Sequence, residues 1–167
     1  MGLLSNHESI VWREFQKGRP TSDIANEVGR EWSPSYVSRV LTRTRKKITE
    51  ALKERAKSHR LDTESILDYK GLLIGFDYQA NAQVYILFTE KLGIIVWYKH
   101  DSYAGKLCPD CPKESECREI LDTVMNEYSI ALRPDERELL MTQQSIAILN
   151  KLAAKEIPRY KRRKEGD

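Results

Sequence analysis

The sequence predicts an α+β fold. Capped helical segments fill the first sixty residues, runs of branched and aromatic residues with short connectors fill 72–98, and two amphipathic helical stretches follow to about residue 155. With 167 residues, 40% of them hydrophobic, the chain can bury a core as one ordinary domain or two small ones. No apolar run approaches the length of a spanning helix, and Leu3 and Leu4 are followed at once by Ser5, Asn6, His7 and Glu8, unlike a secretory leader. A cytoplasmic protein without a membrane partner is expected.

Ser5 and Glu8 have the spacing of a capping box, so a first helix is predicted from there to about Lys17, with Val11 or Ile10, Trp12 and Phe15 inward. Gly18-Arg19-Pro20 ends it. Thr21 can cap a second, short helix carrying Ile24, Ala25 and Val28 up to Gly29. Ser33-Pro34 then places a cap before a proline at the first helical position, where its missing amide costs nothing. The third helix, 33–57, turns Val37, Val40 or Leu41, Thr44 and Ile48 inward. Ser35, Tyr36, Ser38, Arg39, Thr42, Arg43 and Lys46 are expected outside, short polar groups first and cations after, an order that suits a helix in a major groove.

Charge supports that reading. The net +3 conceals an uneven distribution: residues 1–60 carry 13 Lys/Arg against 7 Asp/Glu, residues 61–157 carry 10 against 16, and the last ten carry 5 against 2. Basic ends around an acidic body point to double-stranded DNA as the partner of the ends. Gly18, Ile24-Ala25, Val28-Gly29 and Tyr36-Val37-Ser38-Arg39-Val40 resemble the helix-turn-helix of bacterial and archaeal transcriptional regulators of the sigma-region-four and response-regulator type, over residues 5–48. The step from Ile24 to Val37 is two residues longer than is usual there, and Trp32 is expected to plug the turn. The resemblance implies a DNA-binding domain over 1–60.

No Gly or Pro interrupts 35–60, so the third helix is predicted to run on as a connecting helix. Its stripe Val37, Leu41, Thr44, Ile48, Ala51 or Leu52 and Arg55 suits either a coiled-coil seam between two chains or packing against the chain's own second half. A homodimer is expected from the need of small helix-turn-helix units for two half-sites.

Residues 61–157 are predicted to form an α+β sensing or dimerisation domain. Leu72–Tyr78, Gln83–Phe88 and Ile94–Tyr98 give a three-stranded antiparallel meander with both faces covered. One helix is expected over about 114–128, with Cys117, Ile120, Leu121, Val124, Met125 and Tyr128 on one face. One or two more are expected from Pro134 to Lys155, carrying Leu139, Leu140, Ile146, Leu149 and Leu152. Residues 158–167 form a basic tail, whose Arg159-Tyr160-Lys161-Arg162-Arg163-Lys164 suits phosphate contacts.

All three cysteines fall within ten residues, Cys108, Cys111 and Cys117, with His100 as the nearest fourth donor. Thiolates on a proline-stiffened turn can converge on one metal, either zinc or an iron–sulfur cluster. The C-x2-C-x5-C interval is similar to that of cluster-binding regulators of the fumarate–nitrate and sporulation types, which carry a fourth cysteine absent here. Three reduced thiols, or a disulfide and one thiol, are the plainer reading.

The sequence therefore predicts a DNA-binding transcriptional regulator, not an enzyme, with a cysteine-cluster metal site; it names no small effector. A thiol or metal-dependent enzyme and a protein-interaction adaptor are the alternatives. There is no phosphate-cradling glycine loop and no H-x-x-x-H pair.

Overall fold

The computed structural model describes residues 2–27, 32–99 and 113–155. Along them run α1 (Asn6–Gln16), α2 (Thr21–Glu27), α3 (Pro34–Ser58), β1 (Asp62–Leu67), a 3-10 turn (Asp68–Lys70), β2 (Leu72–Asp77), β3 (Ala82–Thr89), β4 (Gly93–Tyr98), α4 (Glu114–Tyr128), α5 (Pro134–Arg137) and α6 (Met141–Ala154). The fold is α+β, as expected, and no helix among the described residues is long and apolar enough to cross a membrane.

Two helix starts follow the caps read from the sequence, whereas α2 begins at Thr21 itself, with the Pro20 carbonyl accepting from the Asp23 and Ile24 amides. The Glu8 amide donates to Ser5 Oγ while the Glu8 side chain accepts the Ser5 amide at 2.8 Å, which completes the capping box. Ser33 Oγ accepts the Tyr36 amide at 3.0 Å ahead of Pro34. The α3 stripe is inward as predicted, with Val37, Val40, Leu41, Thr44, Ile48 and Leu52 wholly buried. Burial of each large aliphatic side chain contributes about 1.5–3 kcal/mol. The helix α3 packs against α1 and α2 and also touches all four strands. The packing alternative therefore accounts for the whole stripe, and no coiled-coil seam is needed to explain it.

The sheet is an antiparallel meander in the order β1-β2-β3-β4, so the expected three strands are corrected to four. The additional strand, Asp-Thr-Glu-Ser-Ile-Leu, has a polar first half that gives no apolar alternation to detect. Ile66 and Leu67 anchor it to Leu73 and Leu72, and its register shifts between Thr63 and Ser65. An irregular, acidic edge resists pairing with other chains. In β3, residues of both parities from Val84 to Thr89 are buried, so both faces of the sheet are covered there.

The core is continuous from α1 to α6. Trp12 of α1 packs edge-on against Phe88 and Tyr128, and the buried Tyr128 hydroxyl donates to the Phe88 carbonyl at 2.6 Å. Gly71 sits beneath that contact with φ +59, where a Cβ would meet the Tyr128 hydroxyl and the Trp12 ring. Three helix ends converge nearby on two lysines. Lys155 Nζ donates to the carbonyls of Gln16 and Tyr128, and Lys70 Nζ to that of Ala153, placing cations at the negative ends of α1, α4 and α6. Burial, then the neighbouring Lys70, push the Lys155 ammonium down to about 8.

On α4, Leu121, Val124 and Tyr128 are buried, while Cys117, Ile120 and Met125 are half-buried beside them. The stretch 134–155 forms two helices. Leu149 and Leu152 are buried as expected; Ile148 joins them, Ile146 is half-buried, and Leu139 is 41% exposed between the helices.

Candidate nucleic-acid interface

The predicted contact residues share one flank of α3. Ser35, Arg39, Thr42, Arg43 and Lys46 are exposed, and Tyr36 and Ser38 are half-buried at its margin. Local bonding accounts for the margin. Tyr36 Oη lies 2.7 Å from His7 Nδ1, and the His7 and Trp32 rings meet at 4.7 Å, with Trp32 and Tyr36 at 5.4 Å. Trp32 thus packs on α1 and on the first turn of α3. Residues 28–31, which hold the long turn of the helix-turn-helix resemblance, lie outside the described residues. The Arg39 guanidinium is 6.0 Å from the centre of the Tyr36 ring, an orienting cation–π contact. Thr42 Oγ1 donates back to the Ser38 carbonyl at 3.0 Å.

Arg43 has a partner that the sequence pattern did not supply. Its Nε donates to Glu8 Oε2 at 2.8 Å, and Lys47 Nζ donates to Oε1 of the same carboxylate at 2.8 Å. The Glu8 side chain is 1% exposed, whereas those of Arg43 and Lys47 are 53% and 43% exposed. Burial works to raise the Glu8 pKa, but hydrogen bonds from Lys47, the Ser5 amide, Arg43 and the Ser5 hydroxyl outweigh it and hold the carboxyl at about 2. Glu8 in turn raises the Arg43 pKa, with the Tyr36 phenol adding to the effect. Lys47, absent from the predicted contacts, lies on the helix between the exposed Arg43 and the buried Val40. The signal that could have found it is the i, i+4 pair Arg43 and Lys47 opposite an acid in the first turn of α1.

Glu50 and Glu54 are exposed on the following turns, among the exposed Lys53, Arg55 and Lys57. From Arg39 to Lys47 the cationic stretch spans about 12 Å of helix.

The cysteine cluster is reached only at one end. His100, Cys108 and Cys111 lie outside the described residues. Cys117 is half-buried in the first turns of α4, its amide donating to the Lys113 carbonyl at 2.9 Å. Among the described residues no group of three or more His, Cys, Asp or Glu is placed to hold a metal ion.

Asp77, Tyr85 and Tyr98 take structural parts. Tyr98 Oη donates to Asp77 Oδ2 at 2.8 Å, Asp77 Oδ1 caps the β2–β3 turn through the Gln79 and Ala80 amides, and Tyr85 is packed in the sheet. Compared with protein families, curated proteins and solved structures, the chain matches none of them.

Proposed function

We propose that the chain is a DNA-binding transcriptional regulator that lays the N-terminal half of α3 in the major groove. The observation that carries this reading is the two-sided build of α3: one flank is sealed in the core, while Ser35, Arg39, Thr42 and Lys46, at steps of four, three and four, stay exposed together on the other. Short polar side chains near the helix start reach base edges, and the cations behind them meet phosphates. The helix-turn-helix resemblance over residues 5–48 and the excess of positive charge in residues 1–60 support the same use. A homodimer binding two half-sites belongs to this proposal, through a surface other than the buried α3 stripe.

The cysteine cluster is proposed as a metal centre, zinc or an iron–sulfur cluster, that stabilises the fold or senses through it. Its support is the clustering of Cys108, Cys111 and Cys117 and the half-buried start of α4 at Cys117.

The decisive experiment measures affinity for a labelled random-sequence duplex against salt concentration. Binding that weakens steeply with salt, and an Arg39→Ala, Lys46→Ala double variant whose log–log slope is shallower by about 0.9 per lost phosphate contact, is the expected result. Absence of salt-dependent binding would turn the reading toward a protein-interaction adaptor.

A further inference from the structure

Burying a carboxylate is costly unless charge and hydrogen bonds compensate it. Glu8 meets that condition with two cations that both come from α3, four residues apart, while each keeps about half of its side chain open to solvent. A staple between α1 and α3 could be built at less desolvation cost from apolar residues, and the two helices are already in extensive contact. What the buried acid adds is direction. The Arg43 guanidinium is tethered through Nε and Lys47 through one of its three donors, and both side chains line one shallow depression with the exposed Lys46. Long cationic side chains ordered in advance lose less freedom when they meet a polyanion.

We propose that Glu8 is a positioning residue for nucleic-acid binding: from beneath α3 it fixes Arg43 and Lys47 as a two-cation clamp on the phosphate backbone of duplex DNA, which makes Lys47 a phosphate contact. The clamp rests on the reading of α3 as the helix that meets DNA. It widens the interface around the helix from Lys46 to Lys47, toward Leu3, which lines the same shallow depression as Arg43, Lys46 and Lys47. Glu50 and Glu54 line the same depression and disfavour phosphate beside them.

The test is sharp because charge and order predict opposite signs. Glu8→Gln raises the net charge by one unit, so simple attraction between protein and DNA would tighten binding. The clamp predicts the reverse: affinity for a random-sequence duplex falls about tenfold, the cost of ordering two long side chains on binding. Folded Glu8→Gln protein that binds as tightly as the wild type, or more tightly, overturns the proposal. Lys47→Gln keeps the test open should Glu8→Gln fail to fold. Its salt slope drops by about 0.9 if Lys47 touches phosphate, and Lys47→Arg restores it; a staple alone leaves the slope unmoved, and an unmoved slope overturns the clamp. If Arg39→Ala weakens binding while neither variant changes it, only the clamp fails. If the wild type shows no salt-dependent binding, the DNA reading fails with it.

Discussion

Replacing Glu8 by Gln removes a charge that two cations and a backbone amide surround, and its consequence for stability can be worked from the pKa. The folded carboxyl sits at about 2 against an ordinary value of 4.5. That separation corresponds to a ceiling of about 3 kcal/mol. Because Arg43 and Lys47 are about half exposed, solvent screening brings the expected contribution to roughly 1–2 kcal/mol. The sign follows from linkage: a depressed acid gives stability that is complete above 4.5 and is lost as the pH falls through about 2. Urea unfolding of wild type and Glu8→Gln, followed from neutral pH into acid, is the assay. The gap between the two proteins is expected to be full at neutral pH and to shrink steadily through that window. A gap that is absent at neutral pH, or that keeps its size into strong acid, would refute the electrostatic account of the α1–α3 corner.

Three further outcomes are expected. Gly71→Ala forces a Cβ toward Tyr128 and Trp12 at a left-handed backbone position, and should lower stability by about 2 kcal/mol or more in denaturant unfolding. Tyr128→Phe leaves the Phe88 carbonyl without its 2.6 Å donor in a buried site, for a loss of about 1–2 kcal/mol by the same measurement. Cys108→Ser should lower both the metal content of anaerobically purified protein, read by elemental analysis, and its melting temperature; full metal retention would remove Cys108 from the ligand set.

Much of the fold was legible because it rests on local signals. Ser5 with Glu8 and Ser33 with Pro34 announce two helix starts, and α3 runs Pro34–Ser58 against a predicted 33–57. The apolar cores of β2, β3 and β4 came through as uninterrupted branched and aromatic runs. The strand β1 did not, since its Asp-Thr-Glu-Ser half is held by backbone pairing to β2, which leaves no mark on side-chain composition. The candidate interface was legible as a helix face and no further. Arg43 was read as an exposed cation without its partner, because Glu8 lies 35 residues away and its one local role, the capping box, already explained it. Long-range ion pairs of this kind have no period. The choice between a seam for a second chain and a stripe for the chain's own sheet had the same origin: Val37, Leu41, Thr44 and Ile48 look alike in either case, and only the packed sheet decides.

The most direct test of α3 as the DNA-contacting helix is lysine acylation footprinting, with and without a random-sequence duplex, read residue by residue by mass spectrometry. Lys46, exposed on α3, is expected to lose reactivity when DNA is added, while Lys151 on α6 keeps its own. Unchanged labelling of Lys46 at DNA concentrations that saturate binding would contradict the central claim.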